Sequence, residues 1–346
     1  MNSRGNISIV SCESGKNLTN RICKSLDMFC EKLPEAKANN VSYKWINTEE
    51  ITFANGEIKT IIKELIRGTD LYIVQCVDDP HSKKSVNDNI MALMTTIDAC
   101  YQSDPEYITV IIPQYPYSRQ ERRLTREGIT AKQIAQILQT TGADRVITMD
   151  IHSEAIAGFF QEIKFENISA INEFTTHFLK NYKPKNELMV VAPDIGSAAR
   201  GRQYAKFFGD KKLAIIDKVR DYSTTSTISA MTLVGDVEGY DVFMGDDLIS
   251  TGGTMINACK LLKDKGAKDI YIACTFPFFN NNAYEKFSKA YEDGLFKKLL
   301  GTDCVFWGEN FAKEHPWYDE VSVARLFANI IFNINTKQSI SKLLGS

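Results

Sequence analysis

Residues 241–254, DVFMGDDLISTGGT, constrain this chain more than any other stretch. Apolar residues of strand type, Val242, Phe243 and Met244, run into two adjacent carboxylates, Asp246 and Asp247. A loop of hydroxyls and glycines follows: Ser250, Thr251, Gly252, Gly253 and Thr254. A helical pattern, MINACKLLKDKGAKD, begins at once, and Gly266 near its end suits a C-cap. The layout is strand, acidic turn, small-residue loop, helix N-terminus. Glycines let backbone N–H groups close on an anion, and a helix N-terminus adds its positive end. The hydroxyls supply further donors. The stretch therefore reads as a site for a phosphate monoester, with paired carboxylates one turn away that can accept hydrogen bonds from vicinal hydroxyls, as on a ribose. It is not a Walker A loop, because no Gly-Lys-Ser/Thr follows. The plainer reading is a βα turn with capping hydroxyls and solvated acids. Two acids at a strand end weigh against it, since ligands bind at such ends in parallel sheets.

Short apolar runs alternate with longer amphipathic ones along the whole chain. Predicted strands are ISIVS (7–11), LYIVQC (71–76), YITVIIP (107–113), RVITMD (145–150), LMVVAP (188–193), LAIID (213–217), DVFMG (241–245), DIYIACTF (269–276) and DCVFWG (303–308). Helical patterns such as SVNDNIMALMTTIDACY and TAKQIAQILQTTG lie between them. This alternation predicts an α/β protein with parallel sheets. At 346 residues the chain is long enough for two cores. The most plausible boundary follows GFF (158–160), giving domains 1–163 and 164–346. RVITMDIH and LMVVAPDIG each end an apolar strand with Asp, a weak hint of two similar halves.

A net charge of −2 gives no general case for nucleic acid or an acidic membrane surface. No apolar run approaches a membrane span, and MNSRGNISIV does not read as a signal peptide. The eight cysteines show no CxxC pair, so they read as reduced, mostly structural thiols of a cytoplasmic protein. Four histidines make a Cys/His zinc site a poor expectation.

Four further segments carry polar chemistry. In TFANGEIKT (52–60), Asn55-Gly56 signals a β-hairpin, while Phe53, Asn55 and Glu57 could also stack on and hydrogen-bond a purine. PQYPYSRQERRLTREGITAKQ (113–133) carries Arg119, Gln120, Arg122, Arg123, Arg126 and Lys132, with Thr130 suited to an N-cap. It is either a solvated basic loop or a clamp for a triphosphate. His152 follows the strand RVITMD, with Asp150 on the same face if that strand continues. Asp194 and Ser197 precede a helix, which suits an N-cap region. Lastly, Lys218 and Arg220 close an apolar strand before a polar Ser/Thr run that should be mobile (215–229).

In order, these segments resemble the ribose-phosphate pyrophosphokinase family, the PRPP synthases. Asp246-Asp247-Leu248-Ile249-Ser250-Thr251-Gly252-Gly253-Thr254 is similar to the family's PRPP-binding motif Asp-Asp-x-x-Asp-Thr-x-Gly-Thr, with Ser250 at a position usually Asp. TFANGE resembles the family's Phe-Ser-Asp-Gly-Glu segment, with Asn55 for Asp, and YSRQERR resembles its Arg-Gln loop. The resemblance implies two similar phosphoribosyltransferase-type domains, each a parallel sheet flanked by helices. It implies transfer of the β,γ-diphosphoryl group of ATP to the C1 hydroxyl of ribose 5-phosphate, giving PRPP and AMP. By the same token Phe53, Asn55, Glu57, Arg119 and Gln120 bind ATP, and Phe53 and Glu57 reach a neighbouring subunit's site. Asp246, Asp247 and residues 250–254 bind ribose 5-phosphate. His152 and Asp194 hold Mg²⁺, and Lys218 and Arg220 are catalytic. A dimer-based homo-oligomer, up to a hexamer, is implied as well. Gln338-Ser339-Ile340-Ser341 resembles the ending near the family's regulatory site, and the resemblance makes inorganic phosphate a potential activator, while Gln161 and Phe165 stand where the family usually has acids, which weighs against the classical ADP and phosphate regulation. Two alternatives stand beside this reading: a non-catalytic, PRPP-synthase-like regulatory subunit, favoured by Ser250 and Asn55, and a phosphoribosyltransferase that consumes PRPP.

Overall fold

The computed structural model describes residues 3–38, 41–221 and 227–343. The chain divides into two compact units. The first comprises the residues up to Ser169 together with those from Val323 onward; the second is Ala170–Ser322.

In the first unit, strands β1 (Ile7–Ser11), β2 (Tyr43–Trp45), β5 (Asp70–Val74), β6 (Tyr107–Ile111), β7 (Arg145–Met149) and β8 (Lys164–Ile168) form a parallel sheet in the order β2-β1-β5-β6-β7-β8. Every residue of β1, β5 and β7 is buried, because helices cover both faces of a parallel sheet. Strands β3 (Thr48–Thr52) and β4 (Ile58–Ile62) make a separate antiparallel hairpin. Helices α1 (Lys16–Lys32), α2 (Pro34–Ala38), α3 (Val86–Tyr101) and α4 (Thr130–Thr141) belong to this unit. A reciprocal capping box between Ser85 and Asp88 starts α3. Ile129, rather than the expected Thr130, is the N-cap of α4; Thr130 already has helical geometry and Gly142 closes the helix at φ +116°.

The second unit holds α5 (Ile171–Asn181), β9 (Leu188–Ala192), α6 (Ala198–Phe207), β10 (Leu213–Asp221), β11 (Thr227–Val234), β12 (Asp241–Ile249), α7 (Gly253–Asp264), β13 (Ile270–Pro277), α8 (Ala283–Glu292), β14 (Lys298–Thr302), α9 (Phe311–Glu314) and β15 (Tyr318–Val321). Its sheet runs β11-β10-β9-β12-β13-β14-β15, parallel except where β11 turns back on β10. An apolar core lies beneath it, from Met189, Val191 and Met244 to an aromatic group around Phe279, Phe287 and Trp317.

Several expectations are corrected. Strand β12 does not stop at Gly245 but runs on through Ile249, pairing Asp246 with Cys274 and Ile249 with Pro277. The two acids therefore stand on the strand itself rather than in a turn. β10 likewise extends past Asp217 to Asp221, because β11 offers it an antiparallel partner. The polar run expected to be mobile falls in part on residues 222–226, which lie outside the described residues. DCVFWG (303–308) is not a strand; the strand is KLLGT, just before it. On β14, Gly301 lies close against its neighbours, since a Cβ there would stand 2.5 Å from the Tyr318 hydroxyl. The aromatic residues that follow serve packing instead: Trp307 donates to the Pro277 carbonyl (2.7 Å) and packs 5.6 Å from the Phe279 ring.

The C-terminal helix α10 (Ala324–Asn335) departs from a single cut at residue 163. It packs on α1 of the first unit, with Phe332 edge-on to Phe29 at 6.2 Å. Asn335 donates to the buried Asp70 carboxylate (3.0 Å) and to the Gly5 carbonyl (2.9 Å), and Tyr72 donates to the Ile331 carbonyl (3.3 Å). The hint of a repeat also moves. By sheet position β9 corresponds to β1 and β7 to β14, so RVITM and LMVVA occupy non-equivalent strands. The likeness of the two units lies in topology rather than in that pair of segments. Among the described residues no helix is long and apolar enough to cross a membrane. All eight cysteines are free thiols.

Candidate functional site

In the second unit the chain reverses direction across the sheet at β9: β10 lies on one side of it and β12 on the other. Such a switch point opens a crevice at the carboxyl ends of the strands. Asp194 follows β9, Lys218 lies near the end of β10, and Asp246 and Asp247 lie near the end of β12, all toward the carboxyl ends of strands at this switch point.

Asp194 is built in by its own helix entry. Its Oδ1 accepts from the Ser197 N–H (2.8 Å), and Ser197 caps α6. Its Oδ2 lies 3.3 Å from Lys218 Nζ, a lysine whose side chain is only 4% exposed. Burial alone would raise the Asp194 pKa, but the Lys218 charge and the bonds from Ser197 and Lys218 outweigh it and hold the group below its ordinary value. One carboxylate thus holds the turn ahead of α6 through Oδ1 and faces Lys218 through Oδ2. Two residues further along β10, after a β-bulge between Val219 and Arg220, Arg220 pairs with Ile228 of β11. The side chain of Arg220 lies outside the described residues.

On β12, just before the acids, Gly245 lets the strand pass Tyr204 of α6: a Cβ there would lie 2.1 Å from the Tyr204 ring. The Asp247 N–H donates to Asp246 Oδ1 (3.0 Å), and the Leu248 N–H donates to Asp247 Oδ1 (2.9 Å). Burial first, then the charge of Asp247 and its hydrogen bond, push Asp246 up to about 8, against a pull from Arg200. Arg200, on α6, was missed in the sequence; its only signal was a helix leaving the same strand end as Asp194.

The loop after β12 carries Ser250, Thr251 and Gly252. Gly252 takes φ +75° as the N-cap of α7, and a Cβ on it would meet the Phe287 ring at 2.6 Å. Gly253 and Thr254 already lie in the first turn of α7, two residues earlier than the pattern suggested. First-turn N–H groups have no intrahelical acceptor, so they face an incoming anion. Two residues from the β13–α8 segment also reach the loop and were not singled out in the sequence: Asn280 donates to Ser250 Oγ (3.1 Å) and Lys286 Nζ lies 3.5 Å from the Thr251 carbonyl. Gly266 follows the end of α7 at φ +87°, as its position suggested.

The remaining candidates lie in the first unit. Asn55-Gly56 does turn a hairpin: the Phe53 N–H donates to the Glu57 carbonyl (2.8 Å) and Gly56 takes φ +90°. Asn55 Oδ1 accepts from the Glu57 N–H (3.2 Å), so this side chain serves the turn. Phe53 stands 48% exposed at the tip, and Glu57 is exposed beside it. Arg119, Gln120, Arg122, Arg123 and Arg126 are all exposed on the loop after β6. Glu127 orders part of that loop by accepting from Leu124 N–H (2.8 Å) and Thr125 N–H (3.2 Å). His152 is exposed just past β7. The shared face with Asp150 does not form, because β7 ends at Met149 and Asp150 turns to φ +40°, where it accepts from Ser169 Oγ (3.1 Å). Among the described residues no group of three or more His, Cys, Asp and Glu is placed to hold a metal ion.

Residues 7–142 match the model of the N-terminal domain of ribose phosphate pyrophosphokinase, and residues 164–312 match the phosphoribosyl transferase domain. The chain is thus an α/β protein of two phosphoribosyltransferase-type, parallel-sheet domains. Its fold is similar to that of phosphoribosylpyrophosphate synthetase from Mycobacterium smegmatis, with a TM-score of 0.81 at 29% identity over 95% of this chain and 98% of that one. It is 36% identical to a ribose-phosphate pyrophosphokinase of Fusobacterium nucleatum over 85% of this chain and 88% of the relative. It is 35% identical to one of Prochlorococcus marinus over 90% of each. The chain belongs to the ribose-phosphate pyrophosphokinase family.

Proposed function

We propose that this chain is an active ribose-phosphate diphosphokinase, converting ATP and ribose 5-phosphate to PRPP and AMP. The observation that carries the reading is the meeting of Asp194, Lys218, Asp246 and the 250–254 loop at the switch point of one sheet. Residues 250–254 take the 5-phosphate through first-turn N–H groups and hydroxyls. Asp246 and Asp247 accept from the ribose hydroxyls. The C1 oxygen forms a bond to the β-phosphorus, the bond from that phosphorus to the oxygen bridging the α-phosphate breaks, AMP leaves with that oxygen, and the hydroxyl proton passes to solvent. Lys218 and Arg220 stabilise negative charge growing between the β-phosphorus and the leaving oxygen.

Phe53, Asn55 and Glu57 would take the adenine, and Arg119 and Gln120 the triphosphate. The exposed hairpin tip supports a neighbouring subunit as the recipient of Phe53, hence a homo-oligomer. Asp194 offers a part-exposed carboxylate, the hard oxygen donor that Mg²⁺ takes with waters and substrate phosphates filling its shell, whereas the exposed imidazole of His152 would be an unusual nitrogen ligand for so hard an ion. When bound, it would neutralise the triphosphate.

The test is AMP formation from ATP and Mg²⁺, with and without ribose 5-phosphate, across several phosphate levels. Sugar-dependent AMP is the expected result. Its absence from folded protein would sink the synthase reading and move the weight to a regulatory subunit, which should then co-purify with an active synthase.

A further inference from the structure

Asn280 sits in a turn that the backbone enters at some cost. Phe279, Asn281 and Asn282 all have left-handed φ angles, +47°, +56° and +55°. Asparagine tolerates that region; phenylalanine does so rarely, and such residues persist only where their surroundings hold them. Here the surroundings do. The Phe279 ring is 1% exposed and packs 5.5 Å from Phe287 and 5.7 Å from Trp317. Its N–H donates to the Ile249 carbonyl at the end of β12 (3.2 Å), and its carbonyl accepts from the Ala283 N–H that opens α8 (3.1 Å). The turn is thus pinned at both ends, and one end is the residue before Ser250. Between the pins, Asn280 Nδ2 donates to Ser250 Oγ at 3.1 Å.

A serine hydroxyl has one proton to give and two lone pairs to receive with. The Asn280 amide occupies a lone pair and fixes the hydroxyl rotor, leaving the proton free to point at whatever lies in the loop. We infer that Asn280 is a positioning residue that sets Ser250 as a hydrogen-bond donor to the phosphate of ribose 5-phosphate. The inference rests on the phosphate-site reading of residues 250–254. It assigns the contact at position 250 to a held, neutral donor, with no charge to repel the phosphate.

The test is direct calorimetric titration of ribose 5-phosphate into the full-length protein, alongside AMP kinetics and thermal denaturation. Asn280→Ala is expected to weaken ribose 5-phosphate about fivefold to twentyfold, the worth of one oriented hydrogen bond, with KM for ATP and kcat little changed. Asn280→Asp is expected to weaken it further, because it accepts the Ser250 proton and adds a charge beside the phosphate. In a Ser250→Ala background, Asn280→Ala is expected to add nothing. Unchanged affinity in both Asn280 variants overturns the inference. So does an equal loss with and without Ser250, or a loss of melting temperature that accounts for the weakening. Wild-type protein that binds ribose 5-phosphate but makes no AMP overturns only the synthase reading; wild-type protein that binds none overturns both.

Discussion

Lys218 Nζ stands 3.3 Å from Asp194 Oδ2, which joins the end of β10 to the end of β9 inside one crevice. Lys218→Ala should cost AMP formation about a thousandfold or more, if the lysine bears transition-state charge. It should also raise the Asp194 pKa. The sign follows from the depressed value: Asp194 contributes stability that is present above its unfolded pKa and is lost as pH falls through its folded one. The variant should therefore lose stability at pH 7 and lose less of it on acidification. Urea midpoints at pH 7 and pH 4 read both arms.

Asp246, pushed up to about 8 by burial and by Asp247, has the opposite sign. Between the unfolded carboxylate pKa and about 8 the folded state binds the extra proton, so stability falls as pH rises through that window. Asp246→Asn should flatten this slope. Ribose hydroxyls that donate to Asp246 favour its ionised form. Binding of ribose 5-phosphate at pH 7 should therefore release a proton, read by calorimetry in buffers of different ionisation enthalpy.

Gly252→Ala should destabilise the fold by about 2–4 kcal/mol, since it adds left-handed strain to a clash with Phe287. Gly253→Ala meets nothing within 4 Å and should stay within about 0.5 kcal/mol in thermal denaturation.

Removing residues 323 onward should unfold the first unit, because Phe327, Ile330 and Ile331 of α10 are buried and Asn335 satisfies Asp70. Limited proteolysis of the truncated protein should cut within residues 3–169 and spare 170–322. In the full chain, Asn335→Ala should cost about 1–3 kcal/mol by leaving the buried Asp70 carboxylate short of a donor.

Buried β-strands and the loop 250–254 were legible because their signals are local. A short apolar run bounded by turn formers suits a parallel-sheet strand, though DCVFWG shows the same pattern serving packing instead, and Asn55-Gly56 or Gly252 take their backbone geometry from the two or three residues around them. What the sequence by itself determined was therefore the α/β alternation, the hairpin at Asn55-Gly56 and the composition of the loop 250–254. Only the tertiary structure decided that β12 carries Asp246 and Asp247 past its expected end, that α10 returns to the first unit, and that Lys218 meets Asp194. It also placed Arg200 and Asn280 beside the acids and the loop. These relations depend on which strand lies next to which, and strand order is set by the burial of whole faces across long chain separations, which no local pattern of residues encodes.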